Sequence, residues 1–206
     1  SYISNLDLLR TVQRAFPRTE LDIRHSQGFH PHPIISIVLP LPVGQSSDCE
    51  LLDFEVTQET DGAGIAEKLN GGLPEGLTIL DCYEARRPVR ELTYLQADME
   101  LDYDRGVPHG AAQALTELLR RRELLIEKRT KRKQLAEVDI APMIRDISFT
   151  QGENVLRAAV TVQAQNPGLN PQLLEKAIAR YLPELTPDFV RVRRRELLDA
   201  DGQVFR

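Results

Sequence analysis

The sequence predicts an α+β protein made of two tandem ferredoxin-like modules, each built on a βαββαβ pattern with antiparallel sheets. Segments with helical periodicity alternate with short segments of period-two periodicity. The order helix, short strand, long loop, hairpin, helix, strand occurs twice, and matching elements are offset by roughly a hundred residues, which suits a duplicated small domain. We therefore expect one module at 1–88 and a second at 89–206.

The first module begins with a helix whose apolar residues recur at helical spacing. Ser4, followed three positions later by Asp7, resembles a capping box at its start. Apolar and polar residues then alternate in several short segments, as in half-buried strands. The predicted elements are a helix that ends at Pro17, a strand at 21–25, a hairpin formed by 34–41 and 51–57, a helix from Asp61 and a strand at 77–83.

The second module repeats this order and has one additional strand ahead of its first helix. Asn170 is predicted to cap a helix with Pro171 at its first position. Its predicted elements are a strand at 92–103, a helix at 108–120, a strand at 124–128, a connection at 131–142 with some strand, a hairpin of 143–150 and 155–163, a helix from 170 and a strand at 190–197. Because the first module starts directly at its helix, we expect its first strand to lie upstream of Ser1.

The composition is that of a globular protein, with 41% hydrophobic and 28% charged residues and a net charge of −5. No apolar run is long enough to cross a bilayer, so no membrane association is expected. No secretion signal opens the sequence. The two cysteines, Cys49 and Cys82, match no metal or redox spacing. This usage suits a reducing compartment, and we expect a cytoplasmic location.

The stretch 26–33 concentrates two histidines, two prolines, a glycine and an aromatic residue before a strand. With His25 and Cys49, its histidines could hold zinc or iron, but the His-x-His pair lacks the ligand count of a zinc pattern, and we predict no metal site. A second reading is an anion or base contact, and a third is a rigid turn whose histidines bond to carbonyls. The candidate binding residues here are His25, Ser26, Gln27, Gly28, Phe29, His30 and His32.

Asp7 and Arg10 lie one helical turn apart and share a face with Ser4. They could form a surface ion pair, or they could line a pocket with the stretch 26–33. Glu50 and Asp53 begin the return strand of the hairpin and could serve as acid or base, although charged residues are mostly solvated. We count Ser4, Asp7, Arg10, Glu50 and Asp53 as candidate binding residues and predict no catalytic residue.

Basic residues are bunched between positions 120 and 133, which could track phosphates. The nucleic-acid candidates are Arg120, Arg121, Lys128, Arg129, Lys131, Arg132 and Lys133. The arginines at 191–195 could extend this group if the last strand lies alongside it. The alternative is a solvated face balanced by Glu123, Glu127 and Glu196. No phosphate-binding loop, dinucleotide motif or RNA-recognition-motif signature is present.

Three stretches, 2–10, 26–33 and 39–44, together resemble a radical-SAM-associated domain of unknown function. That domain occurs alone or at the C-terminal end of cobalamin-binding radical SAM proteins. The sequence departs from the family pattern at Asn5, where a histidine is usual, at His30, where an asparagine is usual, and at Ile34, where a basic residue is usual. The resemblance implies that S-adenosylmethionine, an iron–sulfur cluster and cobalamin belong to a partner domain or protein, with no cofactor in this chain.

From these observations we expect an accessory or substrate-recognition domain that works with a radical SAM domain or protein, on RNA or a ribosomal component. Any radical SAM activity would lie in that partner. One alternative is an RNA-modifying enzyme with the duplicated architecture of pseudouridine synthases, in which Asp7 or Asp53 would be the nucleophile. Another alternative is a domain that only binds proteins.

Overall fold

The computed structural model describes residues 5–58, 61–129 and 135–206. Its helices and strands are α1 (Asn5–Ala15), β1 (Ile35–Ile37), β2 (Ser46–Ser47), β3 (Leu52–Phe54), α2 (Gly62–Gly72), β4 (Tyr94–Asp102), α3 (Ala111–Leu119), β5 (Leu125–Arg129), β6 (Leu135–Asp139), β7 (Ile144–Gln151), β8 (Val155–Gln163), α4 (Leu174–Tyr181) and β9 (Phe189–Leu198). Short 3₁₀ helices occur at Phe16–Arg18, Val89–Glu91, Ala141–Met143, Pro171–Leu173 and Pro183–Leu185.

The chain divides into two compact units. The first comprises Ser1–Val43 and Glu50–Val89, and the second comprises Gly44–Cys49 and Arg90–Arg206. Helices occur together with antiparallel and mixed sheets, which confirms the α+β class. The predicted duplication of ferredoxin-like modules is not confirmed, because the described part of the first unit holds only a two-stranded sheet. Within the described ranges, none of the helices has the length and apolar character that a membrane span requires.

The core of the first unit forms between its two helices and its small sheet. Val12 and Phe16 from α1 and the turn after it pack with Ile65 and Leu69 of α2. The ring of Phe16 meets that of Phe54 edge to face, with centroids 4.9 Å apart. As predicted, α1 ends before Pro17 and a helix begins at Asp61. The side chain of Asp61 caps α2 by accepting a hydrogen bond from the N–H of Ala63.

Two strands predicted in the first unit do not form as expected. The segment 21–25 contributes only isolated bridges, from Ile23 to Val56 and from His25 to Pro33. The segment 77–83 is in no β-ladder of the described structure. Instead, the amide of Asn70 on α2 accepts from the N–H of Ile79 at 2.7 Å and donates to its C=O at 2.9 Å. A side chain thus satisfies backbone groups that a neighbouring strand would otherwise pair.

The second unit contains a five-stranded sheet with the order β2-β9-β4-β8-β7. β4 pairs antiparallel with both β8 and β9, and β7 pairs antiparallel with β8. Along the chain, β4, α3, β7, β8, α4 and β9 follow a β-α-β-β-α-β order, and the antiparallel hairpin β5–β6 is inserted after α3. The predicted strands and helices of this half are confirmed, with boundaries shifted by one to four residues.

Burial alternates along the strands of this sheet. In β4, Leu95, Ala97, Met99 and Leu101 are buried, and the residues between them are exposed or half-buried. Leu115 and Leu118 of α3 and Ile178 of α4 likewise have almost no exposed surface. The other face of the sheet remains open to solvent and carries charged side chains, which is the usual division of a sheet covered by helices on one side.

Strand β2 was not predicted. The segment 44–48 reads as a turn, yet Ser46 and Ser47 pair in parallel with Arg193 and Arg194 of β9. The N–H of Asp48 then donates to the C=O of Arg194 at 3.0 Å. This pairing assigns 44–49 to the second unit, although the residues on both sides of it belong to the first.

Replacing Gly62 by alanine should destabilise the first unit. A Cβ at this position would lie far inside van der Waals contact with the backbone carbonyl oxygen of Cys82, so the helix or the 77–83 segment must shift. We expect a loss of about 1–3 kcal/mol in the free energy of unfolding, measured by urea titration. The control is Gly71→Ala in the same helix, where a Cβ meets open space and the change should be neutral or stabilising by up to about 1 kcal/mol. Equal stabilities of the two variants would contradict the close packing of Cys82 on α2.

Candidate functional site

The loop 26–33 of the first unit is closed by hydrogen bonds between its ends. The backbone N–H of Ser26 donates to the C=O of His32 at 2.9 Å. In return, the N–H of His32 donates to the hydroxyl oxygen of Ser26 at 3.1 Å, and the same oxygen lies 2.9 Å from His32 Nδ1. Below them, the N–H of Ile34 donates to the C=O of Arg24 at 2.9 Å. Hydrogen bonds at two successive residue pairs, Ser26 with His32 and Arg24 with Ile34, therefore hold the base of the loop.

The tip of this loop projects into solvent. Phe29 is completely exposed, with a relative accessibility of 102%, and Gln27 and His30 are also exposed. Gly28 has φ +142°, a conformation that side-chain-bearing residues rarely adopt, and a Cβ there would meet open space. A large aromatic ring in water at the end of a hydrogen-bonded loop is well placed for a stacking contact.

The histidines of this region bond to their own loop. His25 Nδ1 lies 2.7 Å from the C=O of Ile23, and His32 Nδ1 lies 3.5 Å from the C=O of His30. Among the described residues, His, Cys, Asp and Glu side chains form no group of three or more that could hold a metal ion. Cys49, the proposed fourth ligand, belongs to the second unit, where its Sγ lies 3.7 Å from Ser47 Oγ. The geometry matches the rigid-turn reading of the histidines.

Two of the three acidic candidates, Asp7 and Asp53, lie on the surface of the first unit. Asp7 and Arg10 are 3.8 Å apart and more than half exposed. Asp53 is exposed in β3 opposite Ser36, and Glu50 is half-buried. An open depression of about 320 Å³ in this unit is lined instead by Thr11, Arg14, Arg18, Gly71, Gly72, Leu73 and Pro74. Ser4 lies outside the described residues, and the joint pocket of Asp7, Arg10 and the loop stays a prediction.

The basic candidates lie around the end of α3 and the β5–β6 hairpin. Arg120 donates to the C=O of Ile147 at 3.3 Å and lies 3.9 Å from Asp146. Lys128 is exposed in β5, opposite Ala136. For Arg129 the structure describes the backbone only, as the last residue of β5, and Lys131, Arg132 and Lys133 lie outside the described residues.

Tyr181 at the end of α4 lies among cations that include the candidate Arg121 and two that the sequence analysis did not single out, Lys176 and Arg180. The guanidinium groups of Arg121 and Arg180 lie 5.5 Å and 5.6 Å from the centroid of its ring. Its hydroxyl accepts a hydrogen bond from the N–H of Leu125 at 3.1 Å. Lys176, one turn earlier on α4, donates to the C=O of Glu127 in β5. We call Arg121, Lys128, Lys176 and Arg180 the basic surface.

Helical spacing alone gives no sign of the arginine contacts of Tyr181. Of the four cations of the basic surface, Arg180 has a carboxylate partner, Glu137, at 2.8 Å. For Arg121, Lys128 and Lys176, the described ranges contain no carboxylate within ion-pair distance. These three side chains therefore keep the positive charge that a phosphate group would need.

The arginines of β9 do not extend the basic surface. β9 is separated by β4 and β8 from β7, the strand that Arg120 contacts. Their guanidinium groups are paired on the open face of the sheet: Arg191 with Glu100 and Asp102, Arg193 with Asp48, and Arg195 with Asp48 and Asp98. Arg157 of β8 also lies 3.4 Å from Glu100. Cations and carboxylates thus alternate across this face and neutralise each other.

Asp48 is the carboxylate that two of these arginines share. Arg193 donates to it from Nε and Nη2, at distances of 2.7–3.1 Å, and Arg195 Nη1 donates at 2.8 Å. The hydrogen bonds of Arg193, together with the charges of both arginines, lower the pKa of Asp48 below its ordinary range. In the same way, Arg191 lowers the pKa of Glu100, with Arg157 adding to the effect. These bonds hold the segment that carries β2 onto β9.

Replacing Asp48 by asparagine should weaken the second unit at neutral pH and reduce its sensitivity to acid. Because folding lowers the pKa of Asp48, this carboxylate stabilises the folded protein fully at pH values above its unfolded pKa of about 4. The stabilisation is lost as the pH falls towards the pKa in the folded protein. We expect a change of about 1 kcal/mol or less at neutral pH, since the group is partly exposed, and a shallower decline of stability in acid. Urea titrations over the acid range measure both effects.

The control is Asp146→Asn, at 3.9 Å from Arg120 and largely exposed, which should behave as the parent protein. Identical acid profiles of the parent and the Asp48 variant would contradict the assignment.

Comparison with known proteins places the chain in one family. No curated protein matches the chain. A family model described as an uncharacterized protein conserved in bacteria (DUF2344) matches residues 1–171. The match spans the loop 26–33, the strands β4 to β8 and the turn at Pro171 that precedes α4. Since it covers more than half of the 206 residues, the chain belongs to this family of uncharacterized bacterial proteins.

Proposed function

We propose that this chain is a non-catalytic accessory domain that binds an RNA substrate and presents it to a radical SAM enzyme. The observation that carries the proposal is Phe29, a completely exposed ring at the tip of a loop whose base is closed by hydrogen bonds between Ser26 and His32 and between Arg24 and Ile34. Exposing an aromatic ring to water is unfavourable, so a ring held in this way is best explained by a contact with another molecule. Unpaired RNA bases stack on such rings.

The basic surface of the second unit supports RNA as the binding partner. Arg121, Lys128 and Lys176 keep their charge free of carboxylates within the described ranges, and neutralising phosphates with such cations releases bound counterions. The net charge of −5 would repel RNA at long range, so binding has to rely on this local concentration of cations. A ring for stacking and cations for phosphates are the two components of single-strand binding.

The radical SAM association rests on the resemblance of 2–10, 26–33 and 39–44 to the radical-SAM-associated domain. The family of the chain is uncharacterized, and the association is therefore a proposal. In this proposal the partner binds S-adenosylmethionine, the iron–sulfur cluster and cobalamin. Two cysteines at positions 49 and 82, with no further cysteine between or beside them, do not provide the closely spaced set that holds such a cluster.

Replacing Phe29 by alanine should weaken RNA binding without changing its salt dependence. We expect a loss of roughly 5- to 100-fold in affinity for purified ribosomal RNA fragments, because one stacked base contributes about 1–3 kcal/mol. Phe29→Trp should restore binding, since tryptophan also stacks. The measurement is filter binding of the full chain at several salt concentrations. Val43→Ala is the matched control, as it removes another exposed apolar side chain of the same unit.

In the same binding experiment, variants of two arginines test which cations contact phosphate groups. Arg121→Gln should lower the slope of log affinity against log salt concentration by about one, because one phosphate contact is lost. Arg193→Gln, whose parent side chain is already paired with Asp48, should leave that slope unchanged. Absent or salt-insensitive RNA binding by the parent chain, or equal affinities of the parent and Phe29→Ala, would overturn the RNA role.

A further inference from the structure

Strand β3 of the first unit has one paired edge and one edge without a partner strand. The C=O of Leu51 accepts from the N–H of Val38, the C=O of Glu55 accepts from the N–H of Arg24, and the N–H of Thr57 donates to the C=O of Asp22. Backbone groups of successive residues in a strand point to opposite edges. The N–H and C=O groups of the residues between them, Leu52, Phe54 and Val56, therefore point to the other edge, where no described strand pairs.

The segment 77–83 forms neither a helix nor a strand and joins no described sheet, although its sequence pattern is that of a strand. Its exposure alternates from Leu77 to Leu80, as it does in strands that are covered on one face. One side of its backbone is satisfied by α2, through the amide of Asn70 on Ile79. The groups of Thr78 and Leu80 point the opposite way, and no described residue bonds to them.

Both edges border the same core. Leu52, Phe54 and Val56 of the β3 region are half-buried against the cluster formed by α1 and α2, and so are Ile79 and Cys82 of the segment 77–83. Half-burial at all of these positions indicates side chains that are covered by the helices but lack neighbours along the sheet. A strand that paired with both edges would cover this apolar surface and bond to the backbone groups that point towards it.

The second unit shows how such an arrangement is completed. There, β8 is separated from β9 by β4, which pairs antiparallel with both and leads directly into α3. By chain order, β3 corresponds to β8, the segment 77–83 to β9, and α1 to α3. The counterpart of β4 would lie between β3 and 77–83 and would lead into α1.

We propose that the first unit binds one further β-strand between β3 and the segment 77–83, antiparallel to both, and that the polypeptide immediately N-terminal to α1 supplies it. This strand would carry apolar residues at every second position towards the core, as β4 does with Leu95, Ala97, Met99 and Leu101. A second copy of the chain is a poorer fit. Edge-to-edge pairing around a two-fold axis would join β3 to β3 and leave 77–83 unpaired. The proposal does not depend on the RNA role.

Amide hydrogen exchange tests this proposal without any RNA. Two proteins are compared: the 206-residue chain and the longest chain that its natural gene encodes, including any residues before Ser1. In the longer protein the amides of Leu52, Phe54, Val56, Thr78 and Leu80 should exchange at least about tenfold more slowly than in the 206-residue chain. The amide of Met99 in β4, which is already in a ladder in the second unit, should exchange at similar rates in both proteins.

A variant distinguishes strand pairing from a general gain in stability. Leu80→Pro removes an N–H to which no described residue bonds but that the added strand would bond. It should accelerate exchange at Leu52 and Phe54 in the longer protein and leave the 206-residue chain almost unchanged. A gene without codons before Ser1, equal exchange in both proteins, or protection in the 206-residue chain that disappears on dilution would overturn the proposal. The last result would assign these edges to a second copy.

Discussion

The alternation of buried and solvent-facing side chains along β4 is the constraint on which most of the second unit depends. Every second side chain of this strand is buried in the core, and the others point to the open face of the sheet. On that face Asp98, Glu100 and Asp102 each meet an arginine of β9. A shift of β4 by one residue would bury these carboxylates and expose its leucines, so core packing and the charge pairs both specify the same register.

The same charge pairs explain why the arginines of β9 are neutralised by carboxylates while most cations around Tyr181 are not. Three arginines of β9, Arg191, Arg193 and Arg195, stand at every second position, and carboxylates meet them at 2.7–3.1 Å. Around Tyr181 the cations come from the residues after α3, from β5 and from α4, and within the described ranges it is Arg180 that pairs with a carboxylate, Glu137. The difference comes from strand neighbours that lie up to about 145 positions away along the chain, as Asp48 does from Arg193.

Local patterns in the sequence predicted two kinds of element. These are helix starts fixed by hydrogen bonds between near neighbours, and strands in which the alternation of apolar and polar residues extends over many positions. The helix start at Asp61 and the cap at Asn170 were found because a capping side chain bonds within two or three residues of itself. The strands β4 and β8 were found because nine residues of alternation leave little ambiguity. By contrast, β2 has only two residues and depends on Asp48 being held by Arg193, which no local pattern signals.

The candidate site was predictable to a similar extent. A rigid turn was one of three readings of the stretch 26–33, and it was available from the sequence because prolines and a glycine restrict the backbone there. The hydroxyl of Ser26 as the group that closes the loop, and the ring of Tyr181 as the centre of the basic surface, could not be predicted, since both depend on distances in space. The segment 77–83 was read as a strand from its own pattern, but a strand requires a partner edge that its own sequence does not contain.

Exposed apolar residues are concentrated in the first unit. Among the described residues, large hydrophobic side chains that are exposed number seven in the first unit and three in the second, although the first unit is the smaller one. The first-unit set is Leu6, Phe29, Ile34, Val43, Leu80, Tyr83 and Val89. A small domain has little buried surface to offset this exposure, so it gains more from each contact that covers an apolar side chain. A strand on the edge of β3 and a base on Phe29 would cover different parts of this surface. Either contact would stabilise the first unit more than the second, whose sheet is already paired on both sides of β4.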